Sequence, residues 1–150
     1  YVKIPITNTK GESTNTLVKN LINDGIKCNV TAIFTVKQIS NLLDLIDKLE
    51  KTLILSVFAG RIADTGIDPM KIMRECSSKT KSFTNCKLLW ASPREILNIF
   101  QAIETETDII TVPIEMLSKL KNLEKNLEEF SLETVKMFYN DAQNAGFKIN

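Results

Sequence analysis

A lysine interrupts the apolar run Tyr1-Val2-Lys3-Ile4-Pro5-Ile6-Thr7. If that run is a strand, alternation puts Lys3 on the face opposite Val2 and Ile4. Among apolar walls its pKa falls and its amine becomes a nucleophile for carbonyl carbon, whereas on an open edge it simply meets solvent; the run admits both. Asn29 and Thr31, two apart in the next apolar run, share a face and offer donors and acceptors to a bound oxygen, although residues that cap a strand end look the same. Ser56 and Phe58 share a face in a third run, followed by Ala59-Gly60-Arg61. There glycine permits an unusual backbone, and arginine either reaches over a binding mouth or lies on the surface. Ser92-Pro93-Arg94 reads as a helix start directly after a fourth run. A helix N-terminus attracts anions, and an arginine in its first turn would complete a phosphate site; the serine also caps helices with no ligand present. On successive strand ends, these groups converge on a small phosphorylated carbonyl compound.

The elements that must carry them follow a steady rhythm. Strands are predicted at Val2–Ile6, Asn29–Phe34, Leu53–Phe58, Lys87–Ala91 and Ile109–Val112, nearly continuous in apolar residues as buried parallel strands are. Leu17, Val18, Leu21 and Ile22 repeat at helical spacing with Gly25 as a stop, giving a helix from Glu12 to Asp24. Thr35 with Gln38 forms a capping box ahead of the stripe Ile39, Leu42, Leu43, Ile46 and Leu49. Asp68-Pro69 and Ser92-Pro93-Arg94-Glu95 each start a helix, Pro113 starts another through Leu120, and Ser131 caps a last one carrying Leu132, Val135, Phe138 and Ala142. Five strand–helix units imply a parallel α/β sheet, either doubly wound or wrapped into a TIM (β/α)8 barrel. The scattered glycines hold no G-x-G-x-x-G turn, which favours the barrel. Five units cannot close eight strands, so roughly three more are expected before Tyr1.

Composition narrows the chemistry. The 150 residues, 43% of them hydrophobic, suit one domain spanning residues 1–150 or part of a larger one. A net charge of +1 argues against a nucleic-acid partner. The chain has no histidine, which leaves acid–base work to carboxylates, lysine, tyrosine or water. Cys28, Cys76 and Cys86 match no metal-ligand spacing and are expected to be buried thiols in a cytoplasmic protein. No stretch has the length of a membrane span.

Val2-Lys3-Ile4-Pro5, Cys28-Asn29-Val30-Thr31-Ala32-Ile33-Phe34, Ser56-Val57-Phe58-Ala59-Gly60-Arg61 and Ala91-Ser92-Pro93-Arg94 together resemble, in order and spacing, the strand-end motifs of transaldolases and fructose-6-phosphate aldolases. The resemblance implies the C-terminal part of a barrel, from its fourth strand to its last helix. It implies a class I Schiff-base mechanism without metal or cofactor, in which Lys3 binds a ketose phosphate, cleaves it and passes a dihydroxyacetone unit to an aldose phosphate. It implies that Asn29 and Ser56 hold hydroxyls of that unit, that Thr31 positions a catalytic water, and that Arg61, Ser92 and Arg94 hold phosphate. Phe58 resembles transaldolases, since the aldolases usually have tyrosine there, so transfer in the pentose phosphate pathway is favoured over plain aldol cleavage.

The family's acid–base aspartate and glutamate belong to strands that this sequence does not contain. Pro93 stands where phenylalanine is common, and Thr105-Glu106-Thr107 where the family often has glycine. Two alternatives stand beside the transaldolase reading, a fructose-6-phosphate aldolase-like lyase and a catalytically silent fragment that binds sugar phosphate. A homo-oligomer is expected, its contacts on the last helix or that helix folded back on its own barrel.

Overall fold

The structure is a computed structural model that describes residues 1–46 and 50–147. Strands β1 (Val2–Pro5), β2 (Cys28–Ile33), β3 (Leu53–Val57), β4 (Cys86–Trp90) and β5 (Ile109–Ile110) form one sheet in the order β1-β2-β3-β4-β5. Every neighbouring pair is parallel. A doubly wound sheet reverses its strand order at a switch point, whereas this order advances one strand at a time, as in part of a (β/α)8 barrel.

Helices α1 (Asn15–Asn23), α2 (Val36–Leu43), α4 (Met70–Thr80) and α5 (Leu97–Glu104) connect the strands, with a short α3 (Ala59–Ala63) directly after β3. Their apolar stripes meet one face of the sheet. Val18 and Ile22 of α1, Ile39, Leu42 and Leu43 of α2, Met73 and Cys76 of α4 and Ala102 of α5 pack with Val30, Leu55, Leu88 and Trp90 in the main core. A smaller cluster, Ile54, Leu89 and Ala91 with Phe58 and Ile109, lies on the other face. β3 is buried along its whole length, and apart from Ser56 its residues are apolar.

Local signals account for most boundaries. α1 is shorter than predicted but ends as expected at Gly25, whose φ of 77° lets the Ile26 N–H reach back to the Leu21 carbonyl at 2.9 Å. The capping box at α2 forms in both directions. Ile46 of its stripe is buried, while Leu49 lies outside the described residues. α4 starts one residue later than expected, with Pro69 at the N-cap, while Asp68 Oδ1 accepts the Met70 N–H at 2.9 Å from the residue before it. α3 was not predicted. The expected helix from Pro113 to Leu120 is α6 (Ile114–Leu117) followed by a 3₁₀ turn over Ser118–Asn122.

Residues 1–117 and 118–150 are two separate compact units. Within the second, α7 (Leu127–Asn144) starts earlier than predicted. Asn126 rather than Ser131 is its N-cap, because the Asn126 Oδ1 accepts the N–H groups of Glu128 and Glu129 at 2.9 and 3.2 Å. Leu132, Val135 and Phe138 are exposed along it. Among the described residues no helix is long and apolar enough to cross a membrane.

Candidate active site

The strand register collects the polar residues on the face away from the main core. Lys3 pairs with Asn29, Asn29 with Ile54, and Ile54 with Lys87, so these four form one row across β1 to β4. Ser56 pairs with Leu89, and Leu89 with Ile109, one row nearer the C-terminal ends. In β2 the register slips between Val30 and Ile33, at Ala32, which has a φ of 56°. This bulge keeps Thr31 on the cleft face and turns Ile33 into the main core, although plain alternation would have put both on one side.

A cleft of about 330 Å³ results, lined by Lys3, Asn29, Thr31, Ser56, Phe58 and Ser92, and also by Leu89, Ala91 and Thr111. Ser56 donates to the Asn29 Oδ1 at 2.7 Å, which fixes the orientation of the amide. Among the described residues the Asn29 amide nitrogen has no partner, so its donors remain for a ligand. Lys3 likewise forms no ion pair among them. Lys3 lies at the rim of the cleft, on β1 at one end of the strand order. Lys87, in the same row, is a different kind of lysine. Its Nζ lies 2.8 Å from the Asp108 Oδ1, and that bond raises its pKa and keeps it an ammonium.

The phosphate end differs from the prediction in three ways. α5 begins only at Leu97, with Ile96 as N-cap and no side-chain cap, so Ser92 caps nothing and Pro93 is not at the first helical position. The free N–H groups expected there are taken, because the buried Asn98 Oδ1 accepts from Arg94 N and Glu95 N at 2.6 and 3.1 Å. Positive charge at this end therefore comes from the Arg94 side chain, which is paired with Asp64. Gly60 needs no unusual φ, being part of α3; it must be glycine because a Cβ would sit 1.5 Å from the Ser92 carbonyl oxygen. Ser92 itself has a φ of 60°, a strained value beside the cleft.

Arg61 does not line the cleft. Its guanidinium lies 5.6 Å from the centre of the Phe58 ring, which in turn packs against Phe34 at 5.9 Å. Arg94 lines an adjoining cleft of about 430 Å³ with Ser92, Pro93, Thr111, Val112 and Pro113. A separate recess on the helix side, near Arg74 and Lys81, satisfies its charges internally through Arg74–Glu104 and Lys81–Glu106 pairs. Thr111 and Asp64 were missed from the sequence. Thr111 alternates with Ile109, a signal blurred by the shortness of β5, and nothing local joins Asp64 to a residue 30 positions away.

What the arrangement can do is hold a polyhydroxylated carbonyl compound against an unpaired amine, with a guanidinium further along. A family model described as "Transaldolase/Fructose-6-phosphate aldolase" matches residues 1–149. A "Probable transaldolase" of Methanococcus maripaludis (strain C5 / ATCC BAA-1333) is 32% identical over 122 residues, 81% of this chain and 53% of the relative. Another from Carboxydothermus hydrogenoformans is 33% identical over 69% of this chain and 46% of its own length. A third, from Thermoanaerobacter sp. (strain X514), is 29% identical over 99% of this chain and 62% of its own. The chain thus spans about half the length of the curated relatives it matches.

Proposed function

We propose, since the chain belongs to the transaldolase/fructose-6-phosphate aldolase family, that its cleft is the C-terminal part of a transaldolase active site with Lys3 as Schiff-base nucleophile. The observation that carries this reading is the single cleft lined by Lys3, Asn29, Thr31 and Ser56, with Lys3 and Asn29 paired in one row. The Lys3 amine, deprotonated, attacks C2 of a ketose phosphate such as fructose 6-phosphate, and loss of water gives an iminium. The C3–C4 bond then breaks, its electron pair flows to the iminium nitrogen, and an aldose phosphate leaves. The enamine carbon adds to the aldehyde of an acceptor aldose phosphate, and hydrolysis frees the lengthened ketose and Lys3.

Asn29 and Ser56 hold hydroxyls of the retained three-carbon unit, and Thr31 orients the water. Phe58 bounds the apolar wall. Arg94 with Ser92 takes the phosphate, while Arg61 acts at longer range from its seat on Phe58. The C4 hydroxyl proton is taken up, by family resemblance, through a carboxylate and water from strands outside these 150 residues. The same reading makes the protein a cytoplasmic homo-oligomer of the pentose phosphate pathway.

Borohydride reduction in the presence of fructose 6-phosphate, followed by peptide mass mapping, tests it. An adduct on the Lys3 peptide that vanishes in Lys3→Ala is expected. An unmodified Lys3 in folded, full-length protein sinks the proposal. Release of free dihydroxyacetone without any aldose acceptor would favour the lyase reading instead.

A further inference from the structure

The two clefts at the C-terminal edge of the sheet meet at two residues. Ser92 and Thr111 line both, so a ligand extending from Lys3 to Arg94 passes between them. Thr111 reaches this point through register. Leu89 pairs with Ile109, which packs in the cleft-side apolar cluster, and two residues on Thr111 returns to the same face. The Thr111 N–H donates to the Trp90 carbonyl at 3.2 Å, extending the ladder one residue past β5. Its hydroxyl meets the same carbonyl at only 3.5 Å, the outer limit of a hydrogen bond, so that contact holds it weakly. The oxygen's lone pairs are not used by that contact at all.

We infer that Thr111 is a further substrate-binding residue, which takes the hydroxyls in the middle of the sugar phosphate, between the carbonyl carbon at Lys3 and the phosphoryl group at Arg94. The inference rests on the Schiff-base reading above and deepens it by assigning the acceptor portion of the substrate its own contact. Chain length is the consequence. A six-carbon ketose phosphate presents hydroxyls where the clefts join, whereas dihydroxyacetone reaches Lys3, Asn29 and Ser56 and carries nothing as far as Thr111.

The test measures Lys3 trapping by borohydride against ligand concentration in the full-length protein, with fructose 6-phosphate and with dihydroxyacetone, for the parent, Thr111→Val and Thr111→Ser. Thr111 is exposed, so neither substitution disturbs the core. The half-saturating concentration of fructose 6-phosphate should rise about 3- to 10-fold in Thr111→Val, the range for one uncharged hydrogen bond. It should return to the parental value in Thr111→Ser. Dihydroxyacetone should saturate alike in all three. An equal shift for both ligands, or no shift, overturns the role of Thr111 while leaving the Schiff base intact. Absence of any Lys3 adduct in the parent overturns the Schiff-base reading, and this inference with it.

Discussion

Lys3 and Lys87 stand in one row of the sheet and differ in what surrounds the amine. Asp108 accepts from Lys87 and raises its pKa, so that lysine is committed to an ion pair at the other end of β4. Lys3 has no such carboxylate among the described residues and faces an amide that has been oriented in advance. The orienting bond runs from Ser56 to Asn29, and Ser56 is 3% exposed. Its removal in Ser56→Ala should cost about 1 kcal/mol of stability, the usual net value of such a bond, measured by urea unfolding. The same variant should bind a three-carbon ketone more weakly, because the freed Asn29 amide can rotate. A variant as stable as the parent would mean that water replaces the hydroxyl. That Asn29 and Thr31 share a face was legible from alternation, which acts within a regular stretch of one strand; that Lys3 and Ser56 join them depends on the register between strands.

At the scale of elements, α3 and the turn after β4 interlock. Gly60 N donates to the Ala91 carbonyl at 3.4 Å, the Ser92 carbonyl oxygen occupies the space where a Cβ would be, and Asp64 at the end of α3 pairs with Arg94. Gly60→Ala should therefore destabilise by about 3 kcal/mol or more, since backbone rather than a movable side chain must give way. Thermal or denaturant unfolding checks this, and a loss below about 1 kcal/mol, the ordinary size of a surface change, would show that the turn can yield. The exposed Asp64–Arg94 pair contributes little to stability by itself; its effect is on where the guanidinium points. Helix starts were readable where one short segment contains both partners, as with Thr35 and Gln38. They were misread where two candidates compete. Asn98 captures the N–H groups that Ser92 was expected to serve, and Asn126 precedes Ser131 as the cap of α7. Glu106, with a φ of 53°, follows α5 in a left-handed conformation that usually selects glycine, which explains how the helix ends without one.

Across the molecule, the main core encloses the thiols as expected. Cys28, Cys76 and Cys86 are free and buried. Burial pushes Cys76 and Cys86 from 9.0 up to about 12, with the charges of Glu75 and Asp108 adding to the rise. The folded protein then holds protons that the unfolded chain releases, so their contribution to stability is full below pH 9 and is lost as pH rises from 9 towards 12. Denaturant midpoints across that range should fall, and fall less steeply in the Cys76→Ala, Cys86→Ala double variant; an unchanged slope would assign the decline to other groups. The singly wound strand order and the helix-covered face are likewise properties of the whole sheet, consistent with the barrel reading. The sequence by itself determined the succession of strands and helices and the side of each strand that bears polar groups, because periodicity and caps act within a few residues. Only the tertiary structure decided that Ala32 bulges, that Asp64 holds Arg94, that Asn98 occupies the turn amides and that Thr111 joins two clefts. Those features depend on how loops and strands distant in the chain meet, and no local pattern encodes that distance.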